Sequence, residues 1–401
     1  MANLEKAYNS TNVEDKWYSH WMDKKYFSAD PNSEKEPYTI VIPPPNVTGM
    51  LTVGHVLNNT IQDILIRKAR MEGKEACWIP GTDHASIATE SKVVSMLKEK
   101  GINKNDLSRD EFLQYAWEWK EKYGGIIIQQ LKKLGCSCDW DKERFTMDEG
   151  YTKSVLTAFV ELYNKGLIYK GHRLVNWCPV SKSAISDEEV IHREKNGSLW
   201  YFRYNVIDSD EFVIVATTRP ETMLGDTAVA INPNDLRYKH LKGKKILLPI
   251  VGREIPIIFD DYVDPEFGTG CVKITPAHDP NDFLIYKNHD LDIINIMNDD
   301  ATLNQNVPES YTGLSREEGR EKVIKDLKAL GLLHKTDDYL NKVGYSERGG
   351  VPIESYLSDQ WFMKMDSLSK PAITAVKEKK IQFHPSHWTK TYNHWMENIK
   401  D

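Results

Sequence analysis

The chain has 401 residues, 40% of them hydrophobic, and is therefore long enough to bury more than one hydrophobic core. Its formal net charge of −7 argues against binding of nucleic acid through overall charge, and leaves only local basic patches for such contacts. The sequence shows no apolar run long enough to cross a membrane and no N-terminal signal segment, so we expect a cytoplasmic protein of two or three domains.

The first predicted element is a helical arm near the N-terminus. Aromatic residues recur there at a spacing that favours an amphipathic helix. We expect the arm to pack this aromatic stripe onto the main domain rather than to hold a cofactor. The stripe consists of Trp17, Tyr18, Trp21, Tyr26 and Phe27.

A strand, a tight loop and a helix are predicted next. The β-branched run at residues 38–42 stops at three prolines, Gly49 permits a turn, and apolar residues at helical spacing predict a helix that begins near His55. A helix N-terminus offers unpaired N–H groups, Gly54 lets a flat base approach the backbone, and His55 can donate to a phosphate. The pattern favours a nucleotide cradle over its alternative, an ordinary turn with a surface histidine.

Strands and helices then alternate as far as about residue 187. Strands are predicted around residues 40, 77 and 174–177, and long helices around 112–133 and 151–162. Such alternation favours a parallel sheet of the nucleotide-binding kind.

Between about residues 190 and 339 the segments become short, β-branched and bounded by turns, which predicts a compact, mostly β insert. One helix interrupts it at about residues 315–330. Ser315 and Glu318 have capping-box spacing. We expect Val323, Leu327 and Leu330 to be its packing residues.

A threonine-rich motif within the insert predicts a hydrolytic pocket. The segment TTRPET at residues 217–222 is followed by GTG at 268–270 and PAHD at 276–279. Hydroxyls, an arginine and an aspartate at strand ends suit the binding of an amino ester and the positioning of water. A threonine-rich edge strand is the alternative. Whether His278 is a general base or a structural hydrogen-bonding residue stays open.

The five cysteines are odd in number and scattered, unlike a secreted disulfide framework, so we expect free thiols. Cys136 and Cys138 lack a second pair at zinc-like spacing, which favours core packing over metal binding.

Several ordered motifs together resemble class I aminoacyl-tRNA synthetases. TVGH at residues 52–55 resembles their HIGH signature, with Thr52 where the family usually has the first histidine. PPNVTG at 44–49 and PGTDHA at 80–85 resemble the valine-specific branch, and TTRPET and PAHDPND (276–282) resemble the editing domain that the valine, isoleucine and leucine branches share.

This resemblance implies an α/β fold, namely the first half of a class I Rossmann-type nucleotide-binding domain with an inserted, mostly β editing domain. The implied organisation is an N-terminal helical arm at residues 1–35, the first half of the catalytic domain at 36–189, the editing domain at 190–342, and a return segment at 343–401.

The resemblance further implies ATP-dependent ligation of valine to tRNA(Val), with Mg²⁺ accompanying ATP. By the family's motifs, Thr52 and His55 contact the ATP phosphates and Gly54 lies under the adenine. Asn46 and Asp83 hold the ammonium group of valine. Pro44 forms a wall of the side-chain pocket.

The editing domain implies hydrolysis of mischarged threonyl-tRNA(Val). Asp279 is expected to hold the ammonium group of the threonyl ester, and Asp282 to shape the pocket. Phe267 is expected to stack on the terminal base. Further contacts to the threonyl group or the terminal adenosine are expected from Thr217, Thr218, Arg219, Thr222, Lys273 and Thr275.

Other family features are expected to be absent. Residues 364–370 resemble a KMSKS loop only superficially, and the chain stops before that loop and the anticodon-binding part, so editing alone is expected of this chain. Some family members have CxxC pairs near residues 178–181 and 346–349, but Cys178 is the one such ligand here, so no structural zinc is expected.

We expect a monomer with tRNA(Val), valine and ATP as partners and no membrane. The alternatives are an isoleucyl or leucyl synthetase fragment, a freestanding trans-editing deacylase, and a noncatalytic RNA-binding module.

Overall fold

The structure is a computed structural model that describes residues 7–266 and 268–401. The chain forms two compact units, unit 1 (Met1–Gly166) and unit 2 (Leu167–Asp401). Both units contain helices and strands, as the predicted α/β class requires. Among the described residues, no helix is long and apolar enough to span a lipid bilayer.

Unit 1 combines helices with two short pairs of parallel strands. Its elements, in chain order, are α1 (Glu14–Asp23), β1 (Pro37–Val41), α2 (Val53–Met71), β2 (Glu75–Ile79), β3 (Gly81–Thr82), α3 (Ser86–Glu99), α4 (Arg109–Lys133), β4 (Arg144–Phe145) and α5 (Glu149–Asn164). Strand β1 pairs in parallel with β2, and β3 pairs in parallel with β4. Parallel neighbours need a crossover connection, which α2 supplies between β1 and β2. The predicted alternation of strands and helices is confirmed in this unit.

Helix α2 begins at Val53 with Thr52 as its N-cap, close to His55 as predicted. Ile66 is completely buried in the core of unit 1. The apolar residues whose spacing predicted the helix lie largely outside that core, with Val53 85% and Ile61 52% exposed. Periodicity therefore identified the helix but not the face that packs within unit 1.

The core of unit 1 includes Trp78, which is completely buried. Its indole Nε1 donates a hydrogen bond to Gln62 Oε1 at 3.0 Å. Cys136 and Cys138 pack in the same core, and burial raises the pKa of Cys136 to about 12. All five cysteines are free thiols, which confirms that prediction.

The predicted aromatic arm is only partly packed. The Tyr18 hydroxyl donates to the Cys136 carbonyl at 2.7 Å, and Phe27 is buried. Trp17 and Tyr26 remain 46% and 58% exposed, so the prediction that the whole stripe packs is wrong for these two residues. The amphipathic spacing of a short helix predicts which of its faces is apolar. It does not predict how much of that face the rest of unit 1 covers.

Unit 2 is dominated by strands. Its elements, in chain order, are β5 (Ile168–Cys178), β6 (Ser183–Ala184), β7 (Val190–Val206), β8 (Phe212–Thr217), β9 (Ala228–Ile231), β10 (Lys245–Leu247), β11 (Glu254–Phe259), β12 (Cys271–Ile274), α6 (Pro280–His289), α7 (Arg316–Ala329), β13 (Leu333–Ser346), β14 (Glu354–Met363), α8 (Asp366–Lys377) and α9 (Trp388–Glu397). The largest sheet has the order β12-β9-β11-β10-β7-β13, with β8 also paired to β7.

Strands β7 and β13 form a long antiparallel ribbon, from Val190 opposite Ser346 to Phe202 opposite Leu333. The prediction of uniformly short segments is therefore wrong here, since β7 alone has 17 residues. Its first half is solvent-exposed on both faces, so the apolar alternation that marks a strand is missing from the sequence.

Helix α7 carries the predicted capping box. The Ser315 hydroxyl accepts from the Glu318 N–H at 3.2 Å, and the Glu318 carboxylate accepts from the Ser315 N–H at 2.9 Å. Val323 and Leu327 are completely buried in the core of unit 2, as expected. Leu330 is 59% exposed, so its prediction as a packing residue is wrong; it follows the last helical turn as the C-cap.

Candidate functional site

A first group of predicted site residues meets where two loops of unit 1 run side by side. Asn46 and Asp83 form an isolated parallel bridge, in which Val47 N–H donates to the Asp83 carbonyl (2.9 Å) and Asp83 N–H donates to the Pro45 carbonyl (2.8 Å). Asn46 is exposed and Asp83 is half-buried. The structure thus brings together the two residues predicted to hold an ammonium group, although they are separated by 37 positions in the sequence.

The Asp83 carboxylate is held by a residue that the sequence did not single out. Thr146 Oγ1 donates a hydrogen bond to Asp83 Oδ1 at 2.9 Å. Thr146 Oγ1 also accepts a hydrogen bond from the His84 N–H at 2.9 Å. Within the described ranges, Asp83 Oδ2 has no hydrogen-bond donor. That oxygen is available for an ammonium ion.

The helix N-terminus of α2 fixes the tautomer of His55. The Thr52 N–H donates to His55 Nδ1 at 3.0 Å, and the Thr52 hydroxyl lies 2.8 Å from the same nitrogen. Because Nδ1 accepts from a backbone N–H, a neutral ring carries its proton on Nε2. His55 therefore presents an N–H donor at Nε2, whereas the Thr52 hydroxyl is already engaged with His55.

Packing requires a glycine at position 81 but not at position 54. A Cβ at Gly81 would lie 2.8 Å from the Arg144 carbonyl oxygen, which packing forbids, and 3.9 Å from Pro44 Cβ. A Cβ at Gly54 would meet only Thr52 Oγ1, at an ordinary 3.6 Å. Packing among the described residues does not require Gly54. The space over its backbone is open, as the predicted approach of a flat base needs.

A second group of predicted residues meets in unit 2, where the TTRPET loop follows β8. The Arg219 N–H donates to Thr217 Oγ1 at 3.0 Å, and Thr222 Oγ1 donates to the Arg219 carbonyl at 2.9 Å. Thr217 and Thr222 are buried, so these hydroxyls shape the loop from within. Thr218 and Arg219 line a cavity of about 350 Å³.

The Arg219 guanidinium lies in an ionic network that the sequence did not reveal. It pairs with Glu221 (3.2 Å) and Glu354 (2.5 Å), and Glu354 also pairs with Arg316 at 2.6 Å. Glu221 pairs in turn with Arg320 at 2.8 Å. Arg219 is therefore committed to two carboxylates, and it stabilises the loop as well as reaching the cavity.

The PAHDPND segment is tied to the same region through Asp282. Thr275 N–H donates to Asp282 Oδ2 at 2.8 Å, while Asp279 Oδ1 accepts from the N–H groups of Asn281 (2.8 Å) and Asp282 (3.3 Å) as the N-cap of α6. Burial, and next the charge of Asp279, raises the pKa of Asp282 to about 7. Asp279 is half-buried and Asp282 is buried.

Lys273 and Thr275 meet at Asp226, a residue that lies outside the motifs identified in the sequence. Lys273 Nζ lies 2.9 Å from Asp226 Oδ1, and Thr275 Oγ1 donates to the same oxygen at 2.6 Å. All three side chains are buried. Phe267, predicted to stack on a base, lies outside the described residues.

The hydrogen bond and the protonation state of His278 both indicate a structural role. Its Nε2 accepts from the Ile296 N–H at 3.0 Å. Burial and the neighbouring cations Arg219 and Lys273 lower the pKa of His278 to about 3. The ring is therefore neutral at pH 7 with Nε2 engaged, which argues against a general base.

Acidification is expected to destabilise unit 2 through His278. The folded pKa of about 3 lies below an unfolded value of roughly 6.5, so the stabilising contribution is present above pH 6.5 and is lost as the pH falls toward 3. The free energy of unfolding should drop by up to about 1.4 kcal/mol per pH unit in that window. His278→Gln retains an acceptor for Ile296 and should flatten this dependence, measured by urea unfolding between pH 7.5 and 5.0. His240→Gln, at an exposed histidine, should leave the slope unchanged; equal slopes in all three proteins would contradict the assignment.

The positions near residues 178–181 and 346–349, where a CxxC pair would bind zinc, contain one thiol here, that of Cys178. Burial acts to raise the pKa of Cys178, but hydrogen bonds from Ser181, Ser346 and the neighbouring backbone together outweigh it and lower that pKa. A Cβ at Gly349 would lie 2.6 Å from Cys178 Sγ. Within residues 7–266 and 268–401, no three His, Cys, Asp or Glu side chains are grouped to hold a metal. The absence of a structural zinc stays a prediction.

Comparison with known proteins assigns the family. The profile described as tRNA synthetases class I (I, L, M and V) matches residues 16–401. The chain belongs to the class I tRNA synthetases. This membership, with the parallel strands of unit 1 and the large sheet of unit 2, confirms the predicted fold class.

Relatives of this synthetase chain are named valine–tRNA ligases. The chain is 59% identical to the valine–tRNA ligase of Bacteroides fragilis over 99% of the chain's length. It is 57% identical to the enzyme of Christiangramia forsetii over 99% of the chain, and 53% identical to that of Fusobacterium nucleatum over 100% of the chain. The chain spans 45% of the length of each of these relatives. Among solved structures, the LeuRS-tRNA-LeuAMS complex of Agrobacterium radiobacter K84 aligns with 87% of this chain and 49% of that chain, at 19% identity and a TM-score of 0.42.

Proposed function

We propose that this chain forms part of a valine–tRNA ligase, with tRNA(Val), valine and ATP with Mg²⁺ as its partners. The observation that carries the proposal is an identity of 53% to 59% with valine–tRNA ligases over at least 99% of the chain. Unit 1 would contribute to the binding of ATP and valine. Unit 2 would hydrolyse threonyl-tRNA(Val) formed in error.

In unit 1, the two bridged loops would form a site for a cation, and the N-terminus of α2 would form a site for an anion. Asp83 would pair with the ammonium group of valine through its free oxygen, beside the Asn46 amide. The helix N-terminus at Thr52 favours phosphate, and the Nε2–H of His55 would donate to it. Gly54 leaves space for adenine over the backbone, and Pro44 would limit the pocket for the valine side chain.

Editing is needed because valine and threonine are nearly isosteric. An apolar pocket rejects an added hydroxyl only weakly, a limit for which valine–tRNA ligases are themselves the known example. A second site must therefore favour the hydroxyl. The described residues proposed for that site, from Thr217 to Asp282, all lie in unit 2.

The proposed hydrolysis combines an ammonium anchor with oriented water. Asp279 has one carboxylate oxygen engaged as the N-cap of α6, and Oδ2 would hold the ammonium group of the threonyl ester. Asp282 lies beside it, buried, and fixes the backbone of Thr275. Lys273, whose Nζ is held by Asp226, would supply a cation to the site.

Asp279→Asn is expected to slow hydrolysis of threonyl-tRNA(Val) about tenfold, because it removes the charge that anchors the ammonium group. Asparagine remains a good N-cap, so α6 should be preserved. The measurement is hydrolysis of threonyl-tRNA(Val) and valyl-tRNA(Val) by the chain and the variant at equal concentration. Asp338→Asn, at an exposed strand position, is the matched control.

Selective loss of the threonyl ester with the unaltered chain and the Asp338 variant, and its retention with the Asp279 variant, supports the proposal. Equal hydrolysis of both esters by the unaltered chain would overturn the editing assignment. Equal activity of the Asp279 variant would remove Asp279 from the site while leaving editing in place.

A further inference from the structure

A cavity of about 350 Å³ in unit 2 lies between the β7–β13 ribbon and the loop that follows β8. The first turns of α7 and the start of β14 complete its walls. Of the described residues proposed for editing, Thr218 and Arg219 line this cavity, whereas Lys273, Asp279 and Asp282 do not. The cavity therefore adjoins the proposed editing residues without containing the ammonium anchor.

Cations dominate the walls of this cavity. Five of the lining residues are lysines or arginines, and two are glutamates. A concave site with an excess of one charge attracts ions of the opposite charge, because its low-dielectric walls focus the electric field. The cavity therefore favours an anion. The five cations are Lys195, Arg219, Arg316, Arg320 and Lys342.

The two arginines of α7 keep hydrogen-bond donors after their internal ion pairs are made. Arg316 gives Nε to Glu317 at 2.8 Å and Nη1 to Glu354 at 2.6 Å. Arg320 gives Nε and Nη2 to Glu221, both at 2.8 Å. Arg316 Nη2 and Arg320 Nη1 have no acceptor among the described residues, and both atoms remain accessible to solvent. The ion pairs thus fix each guanidinium group and leave one of its NH₂ groups for a ligand.

The positions of these arginines in the helix suit a shared ligand. Arg316 and Arg320 are four residues apart in α7, so their side chains lie on one face of the helix, a turn apart. Arg316 is also the first residue of this 14-residue helix, whose N-terminus carries a partial positive charge. The helix end and both guanidinium groups therefore favour an anion at the same wall.

Lys342 adds a cation from the opposite wall. It lies on β13, is exposed, and makes no hydrogen bond or ion pair within residues 7–266 and 268–401, not even with Glu194, its partner in the strand register. A lysine ammonium is a compact charge on a flexible chain and can turn toward a ligand.

We propose that this cavity binds a phosphate group through Arg316 Nη2, Arg320 Nη1 and Lys342 Nζ. Guanidinium groups match the spacing of phosphate oxygens, and charge-assisted hydrogen bonds are the strongest that such a site can make. The phosphate can come from free inorganic phosphate or from the backbone of an RNA strand. The RNA source rests on the proposed function, since it assumes that the strand carrying the threonyl ester passes along the TTRPET loop. The free-phosphate source does not depend on that function.

The first arm of the test is calorimetric titration of the 401-residue chain with inorganic phosphate at constant ionic strength. Lys342→Gln should weaken binding about threefold, as expected for one exposed charge. Glu317→Gln removes the exposed carboxylate that competes for Arg316, and should strengthen binding about threefold. Lys328→Gln, at an exposed position of α7 that does not line the cavity, is the matched control and should leave the affinity unchanged.

The second arm compares hydrolysis of threonyl-tRNA(Val) with that of the 3′-threonyl ester of adenosine, which has no phosphate. Lys342→Gln should raise the KM for the tRNA about threefold without changing kcat, because the ammonium group contacts the strand and not the ester. The dependence of log(kcat/KM) on log[KCl] should also lose about 0.7 of its slope, the value for one contact to a single strand. Neither effect should occur with the adenosine ester.

The two arms separate the sources of phosphate. Opposite changes in phosphate affinity for Lys342→Gln and Glu317→Gln support the site, and a raised KM confined to the tRNA identifies the RNA backbone as its ligand. Unchanged phosphate affinity together with an unchanged KM in both variants would overturn the proposal. Equal changes in Lys342→Gln and Lys328→Gln would also overturn it, because they would reflect overall charge. A chain that hydrolyses neither ester would overturn the proposed function and leave the result with inorganic phosphate standing.

Discussion

Glu221→Gln is expected to lower the free energy of unfolding of unit 2 by about 3 kcal/mol. Glu221 is completely buried, and its carboxylate receives two hydrogen bonds from Arg320, both 2.8 Å, and one from Arg219 at 3.2 Å. A neutral amide in its place would leave two guanidinium groups without their common counter-ion. The figure is at the low end for a broken buried pair, because the arginine side chains are 30% and 31% exposed and keep part of their hydration.

The measurement is urea unfolding, monitored through the amide hydrogen exchange of peptides from Leu167–Asp401. Peptides of one unit are used because the two units need not unfold together. The matched control is Glu317→Gln. Glu317 pairs with Arg316 at 2.8 Å but is 62% exposed, so its loss should cost less than about 1 kcal/mol. Similar losses in both variants would show that burial of Glu221 does not govern the effect.

The same variant has a defined pH dependence. Burial opposes ionisation of Glu221, but the hydrogen bonds from Arg320 and the charge of Arg219 outweigh it and lower its pKa. A lowered folded pKa stabilises the fold above the unfolded value of roughly 4.3, and this contribution is lost as the pH falls through the folded pKa. The difference between the unaltered chain and Glu221→Gln should therefore shrink below about pH 4.3.

Local sequence signals predicted local structure well. The β-branched run that stops at prolines forms β1, and the capping box of Ser315 and Glu318 begins α7. In each case the residues that cause the structure lie within a few positions of one another. The motifs also led to the loops where Asn46 and Asp83 meet.

Residues that act through distant partners could not be predicted. Asp226 meets Lys273 across 47 positions, and Thr146 meets Asp83 across 63, so no spacing in the sequence joins them. Glu354, at the start of β14, likewise reaches Arg219 in the loop after β8. A buried carboxylate looks in the sequence like any surface aspartate or glutamate, and only the fold shows that it is buried.

Periodicity also leaves burial undecided. The apolar positions of α2 correctly predict a helix, yet Val53 and Ile61 are exposed in unit 1, and Ile66 on another face fills the core. The spacing of apolar residues predicts that one face of a helix is apolar. It does not predict which neighbouring element of the same unit covers that face.

Trp78→Ala is expected to lower the free energy of unfolding of unit 1 by about 3 to 5 kcal/mol, because it removes a large, completely buried ring and leaves a cavity. It also leaves Gln62 Oε1, which accepts the indole N–H at 3.0 Å, without that donor in a buried place. Trp78→Phe separates the two effects, since most of the ring volume stays while the hydrogen bond is lost. The loss in that variant should be intermediate.

The control for Trp78 is Trp117→Ala in the same unit, where the ring is 47% exposed on α4 and makes an edge contact with Phe145. Its loss should be about 1 kcal/mol, since a half-exposed ring contributes little burial. Hydrogen exchange of peptides from Met1–Gly166 reports the stability of unit 1. A Trp78→Ala protein as stable as the Trp117 variant would mean that the core of unit 1 is not organised around this ring.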